Sequence, residues 1–157
     1  MPYMPESGEP FILFELAGTT YGLPSQVVQH MEMIEQVTPV PNAPPYVDGI
    51  VFSRGQVVPL VNLRARFGFE RTPADLRTRL IVVHSGARTV GLVVDSAREF
   101  VRIPAESIQP PPEGIDRAGA QYLAGIAVLG ERLVLILDVE LLLLKEDDKG
   151  AASAPQN

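Results

Sequence analysis

The sequence predicts a mainly β protein made of two similar small barrels, and three observations carry that reading. A pattern running from Tyr46-Val-Asp-Gly-Ile50 to Phe67 returns 76 positions later, from Tyr122-Leu-Ala-Gly-Ile126 to Leu143. A second echo, at an offset of 69, lays Thr20, Gly22 and Leu23 over Thr89, Gly91 and Leu92. Elsewhere apolar residues come in short runs broken by Gly and Pro, the rhythm of a small barrel rather than of an α/β sheet. Where two copies of a unit agree, the residue is expected to serve the fold; where they diverge, function becomes a candidate. The sharpest divergence is Arg54-Gly55, which faces Gly130-Glu131 in the second copy.

Each element follows from local chemistry. Residues 11–17 and 21–23 read as two strands joined by a short turn over 18–20, and residues 80–86 and 89–95 repeat that hairpin around Ala87-Arg88. Residues 24–31, where Pro24 and Ser25 precede Val27, Val28 and Met31, are expected to form a short helix. The proline runs at 39–45 and 110–112 read as irregular connections, because proline cannot donate to a sheet ladder. Strands over 49–53 and 56–61 place Arg54-Gly55 at their tip. Asn62 and Asp138 occupy matching positions, and both residue types cap helix starts by accepting backbone N–H bonds. Short helices are therefore expected over 62–67, stopped by Gly68, and from 138 to about 145. Residues 68–78 link the halves, and 1–9 and 146–157 are expected to be disordered ends around a single unit spanning 10–145.

Composition narrows the function classes. At 157 residues, 46% of them hydrophobic, the chain can bury a substantial core. Its longest apolar stretch, 133–144, is interrupted by Asp138 and Glu140 and is shorter than the roughly 20 residues of a membrane span. The first ten residues lack the basic start and apolar centre of a signal peptide, and there is no cysteine, so a cytoplasmic location is expected. A net charge of −6 argues against a general nucleic-acid binder. Arg64, Arg66, Arg71, Arg77 and Arg79 lie close together and read as a solvated or protein-facing strip.

Catalytic signals are weak. His30 and His84 are isolated, with no Cys to join them in a metal site, so neither metal nor cofactor is expected. His30 falls late in the expected first helix, at a position that reads as exposed. Ser53 has no histidine close in sequence and no Gly-x-Ser-x-Gly elbow, and neither a Walker A nor a dinucleotide fingerprint occurs. Binding remains: Arg54 at a fixed turn can present its guanidinium to a carboxylate or carbonyl of a partner.

Taken in order, these motifs resemble the CheW family, the adaptors of bacterial chemosensory arrays. The resemblance spans roughly residues 10 to 145. It rests on Phe11-x-Leu-Phe-x-Leu16 followed by Tyr21-Gly22, and on Pro41-x-x-Pro-x-x-Val-x-Gly49. Further along come Arg54-Gly55 with Val57-x-Pro-Leu-Val-x-Leu-Arg64, then Arg66-Phe67-Gly68, Val90-Gly-Leu-Val-Val-Asp95 and Ile108-x-Pro-Pro-Pro112. It implies two five-stranded β-barrel lobes on a shared apolar core, and a non-enzymatic role joining the histidine kinase CheA to the cytoplasmic tip of chemoreceptors. It also implies receptor contact at Arg54 and Gly55, and at Val28, Gly49 and Gly91. His30 stands where the family carries a Glu in its receptor-contacting segment. Kinase-contact residues are not assigned, although lobe-to-lobe pairing is the expected kinase contact. The chain departs from the family at Phe52-Ser53, where Asn-Leu is usual, at His30, and at Asn62, where Asp is usual. These departures point to an adaptor for a particular receptor or kinase set. The alternative reading is a sensor that takes a small ligand between its lobes.

Overall fold

The computed structural model describes residues 8–112 and 120–143. The ends at 1–7 and 146–157, expected to be disordered, lie outside the described residues, as does the far end of the last helix. Glu9, placed by sequence in the disordered end, already belongs to the first strand, β1 (Glu9–Leu16), which folds back antiparallel on β2 (Thr19–Pro24). There follow β3 (Val28–Glu32), β4 (Val47–Ser53), β5 (Gln56–Asn62) and a one-turn helix, α1 (Leu63–Arg66). The second half repeats the order: β6 (Arg79–Ser85), β7 (Arg88–Val94), β8 (Ser96–Ile103), β9 (Ile108–Gln109), β10 (Leu123–Leu129), β11 (Arg132–Leu137) and a helical turn over 139–143, α2.

The strands form two sheets, ordered β3-β6-β7-β5-β4 and β8-β1-β2-β11-β10-β9. Strand for strand they correspond: each holds two antiparallel hairpins joined by one parallel pairing, β5 with β7 and β2 with β11. Outside β10 lies the two-residue β9; outside β4 the same place is taken by a single bridge from Thr38 to Ile50. The lobes are thus pseudo-symmetric. They are not, however, the two halves of the chain. One sheet is drawn entirely from the contiguous block 28–94, and the other is assembled from the two ends, β1 and β2 with β8 to β11. The segment 68–78, read from sequence as a link between halves, lies inside the first lobe, between β5 and β6.

Both helix caps act as the residue types predict. Asn62 accepts from the Ala65 N–H at 3.1 Å, and Asp138 from the Leu141 N–H at 3.1 Å. The expected helix at 24–31 is absent: a single 3₁₀ turn at Ser25–Val27 leads directly into β3. Val28, His30 and Glu32 point inward while Gln29 and Met31 face out, a period of two rather than 3.6. Pairing with β6, Val28 opposite Val83 and Met31 opposite Ile81, supplies the ladder that local propensity could not foresee.

The two sheets share one core. Leu16, Tyr21 and Leu23 of one lobe pack with Val61, Ile81, Val83 and Leu92 of the other. An aromatic file crosses the junction, Phe14 stacked on Tyr21 at 5.6 Å, Tyr21 against Phe67 at 5.8 Å, and Phe67 stacked on Tyr122 at 5.5 Å. Smaller clusters fill each lobe on its outer side. The arginine strip is split: Arg71 and Arg77 are exposed, while Arg64 and Arg66 turn inward. Arg64 holds Asp95 in a bidentate pair at 2.9 and 2.8 Å, and Arg71 ties the segment after α1 to Asp48 and the Pro45 carbonyl. Arg66 is only 6% exposed, its guanidinium over the rings of Tyr46 at 4.5 Å and Tyr122 at 5.0 Å.

Candidate functional site: a charged turn beside an apolar strand face

β4 and β5 run into a two-residue turn in which Arg54 has φ +51° and Gly55 φ +84°. Positive φ at both central positions is the type I′ turn that the right-handed twist of a hairpin favours. Asn-Gly is its preferred pair; arginine in the left-handed region costs on the order of 1 kcal/mol. Ala17-Gly18 makes the same kind of turn between β1 and β2, so the geometry is tolerated elsewhere in this fold. What distinguishes Arg54 is that its side chain is exposed and, among the described residues, forms no hydrogen bond or ion pair.

The strand faces flanking the turn are apolar. Phe52 and Val57 sit directly opposite each other and are 75% and 60% exposed. Beside them opens a cleft of about 490 Å³, lined also by Met33, Val51, Glu32 and Glu35. The turn therefore combines a free cation with a large aromatic and an aliphatic side chain in water, a combination that marks a contact surface. The second copy carries the apolar pair alone: Val128 and Leu133 face each other on β10 and β11, both exposed, with Gly130-Glu131 at the tip.

Beneath the turn, the structure brings together residues that sequence reading kept apart. His30, expected on a helix and exposed, lies on β3 with its side chain only 8% exposed. Its Nε2 is 3.2 Å from Ser53 Oγ, and the Ser53 hydroxyl donates to Glu32 Oε2 at 2.7 Å. Gln56 Nε2 donates to Gln29 Oε1 at 3.3 Å on the outside. Val28 is partly buried against the shared core. Gly49 and Gly91 are buried and serve packing. Gly49 has φ +142°, and a Cβ there would strike the Thr38 carbonyl; on Gly91 it would lie 2.5 Å from Leu80 Cδ1. The sequence singles out Phe52 only as a departure from the family, and Glu32 and Val57 not at all. The alternation Val28, His30, Glu32 and an aromatic next to a tip arginine were the available signals.

The model of the CheW-like domain matches residues 10–147. This chain belongs to the CheW family. It is 36% identical over 140 residues to the chemotaxis protein CheW of Klebsiella aerogenes, covering 89% of this chain and 84% of that protein. Protein FrzA of Myxococcus xanthus is 33% identical over 116 residues, 74% of this chain and 72% of FrzA. Among solved structures, the scaffolding protein TtCheW from Thermoanaerobacter tengcongensis superposes with a TM-score of 0.80 at 28% identity, over 87% of this chain and 92% of that one. The two interlocked lobes are the fold of the CheW family, and the Arg54 turn is a feature of one lobe only.

Proposed function

We propose that this chain is a chemotaxis coupling adaptor, a scaffold without catalytic activity or cofactor that holds a chemoreceptor tip and a CheA-type kinase in register. The observation that carries the receptor assignment is Arg54: an exposed guanidinium with no partner among the described residues, held at a two-residue turn beside Phe52 and Val57. Such a group meets a carboxylate on a receptor helix while the apolar pair covers its neighbours. Gly55 supplies the turn, His30 stands behind it, and Val28, Gly49 and Gly91 act on the receptor surface through packing. The mirrored pair Val128 and Leu133 offers a second apolar surface for a barrel-shaped kinase domain. Signal then passes as a change in the relative populations of kinase states when the receptor moves.

No helix among the described residues is long and apolar enough to cross a membrane. We place the protein in the cytoplasm, recruited to receptor arrays by protein contacts. His30, Phe52 and Ser53 replace the family's usual residues at the contact, and the likeness to FrzA accords with service in a specialised pathway.

The test is a pull-down with a receptor-tip fragment and a CheA-type kinase. Arg54→Glu is expected to lose receptor binding by at least about tenfold while kinase binding and Tm stay as in the wild type. Receptor capture at wild-type affinity by the Arg54→Glu protein would overturn the assignment. The double variant His30→Glu, Phe52→Asn is expected to capture receptor tips that the wild type refuses; an unchanged spectrum would refute the specialised role.

A further inference from the structure

We propose that His30, Ser53 and Glu32 form a polar latch across the open seam of the first lobe, and that this latch sets the direction of the Arg54 turn. β3 and β4 are the two edge strands of their sheet and share no ladder with each other. Where they approach, three side chains replace the missing backbone bonds. Ser53 is the residue immediately before the turn and is 4% exposed, so its hydroxyl must be satisfied inside the protein.

The direction of hydrogen bonding follows from counting hydrogens. A serine hydroxyl has one, and the 2.7 Å contact with Glu32 Oε2 takes it in a charge-assisted bond. The contact between Ser53 Oγ and His30 Nε2 at 3.2 Å therefore needs the hydrogen of the imidazole. Nε2 is the nitrogen that carries it, and the bonds run from His30 to Ser53 to Glu32. Glu32 Oε2 also lies 3.5 Å from His30 Nε2, closing the triangle. This arrangement does not activate Ser53 as a nucleophile, because the hydroxyl hydrogen points to the carboxylate and Nε2, which carries its own hydrogen, offers it no lone pair.

The latch belongs to one lobe. The residue matching Ser53 in the second copy is Leu129, which packs on the apolar cluster of that lobe. The lobe with the tip arginine thus has a polar fastening where the other has only an apolar contact. Among the described residues Arg54 has no side-chain partner, so its aim is inherited from the backbone, and the backbone is held by Ser53 within the lobe and by the Gln56–Gln29 bond outside it. His30, Ser53 and Glu32 are positioning residues. The affinity arm of the following test rests on the reading of Arg54 as a receptor contact; the structural arm does not.

The experiment uses the full chain, measuring amide hydrogen exchange at Ser53 and Gln56, the His30 imidazole nitrogen shifts and affinity for a receptor-tip fragment. Ser53→Ala and Glu32→Ala are each expected to speed exchange at the turn about three- to tenfold and to weaken receptor binding by a similar factor, the loss of one hydrogen bond. Ser53→Ala is also expected to move the His30 nitrogens away from the Nε2–H pattern, and Ser53→Thr to restore all three readouts. Unchanged exchange in both alanine variants overturns the latch, whatever the affinities. Faster exchange with wild-type affinity overturns its role in aiming Arg54 if Arg54→Ala itself weakens binding. If Arg54→Ala does not, the latch stands and the receptor assignment falls.

Discussion

Gly91 on β7 lies directly opposite Leu60 on β5 in the parallel pairing that joins the two hairpins of the first lobe. Gly22 and Ile136 stand in the same relation in the second lobe. A Cβ on Gly91 would lie 2.9 Å from Leu60 Cδ2, so the glycine makes room for a leucine in the core. Gly91→Ala is expected to cost about 1–3 kcal/mol by overpacking. Urea unfolding checks this. Any loss of receptor binding should scale with that loss of stability; binding lost at unchanged stability would instead make Gly91 a direct contact.

Arg54 occupies a turn position where asparagine is the better residue. Arg54→Asn is expected to raise stability by up to about 1 kcal/mol and to weaken receptor binding. Thermal unfolding and a pull-down on the same sample test the pair of effects. A variant that is no more stable would show that the arginine is unstrained there.

Asp95 joins three parts of the fold, accepting from Arg64 on α1 and from the Ala17 N–H in the β1–β2 turn at 2.9 Å. Burial alone would raise its pKa, but the bonds from Arg64 and Ala17 outweigh it and hold the carboxyl below its ordinary value of 3.8. A folded-state pKa below the unfolded one means that this contribution is complete above about pH 4 and fades as the pH falls through the folded value. Asp95→Asn should therefore destabilise by about 1–2 kcal/mol at about pH 7 and by much less at about pH 2.5. An equal effect at both would remove the ion pair from the explanation.

Arg66 is buried between two tyrosines, and among the described residues its Nε and Nη2 have no acceptor. The matching residue of the second copy is Leu142. A buried cation is often no better than an apolar side chain of its volume, so Arg66→Met is expected to be neutral or stabilising by about 1–3 kcal/mol. Arg66→Ala, which empties the space between the rings, should destabilise by about 2 kcal/mol or more. A strong loss in Arg66→Met would mean that the cation–π contacts outweigh burial.

What could be read from the sequence was what is local. The hairpins, the Asn62 and Asp138 caps and the Arg54 turn depend on residues a few positions apart; the caps and the Arg54 turn stand where they were expected, and the two other hairpins form with their turns shifted one or two residues toward the N-terminus, to Ala17-Gly18 and Gly86-Ala87. The segment from 24 to 31 failed because β3 owes its shape to β6, some fifty residues on. Of the arginine strip, Arg71 and Arg77 are exposed as expected, whereas Arg64 and Arg66 turn inward for the same reason, to partners in Asp95 and Tyr122 that are distant in sequence. At the site, Arg54 was legible as a break between copies. The contact of His30 with Ser53 was not, because no spacing links two strands at opposite edges of a sheet.

The first lobe comes whole from the block 28–94, whereas the second needs β2 beside β11, Tyr21 opposite Leu135. During synthesis the middle of the chain can therefore close its sheet while the N-terminal hairpin still waits for strands not yet made. The lobe bearing Arg54 can form first. The other is completed only once β10 and β11 have been made, and a polypeptide cut short before residue 132 would carry the Arg54 turn on a closed sheet beside an unfinished one.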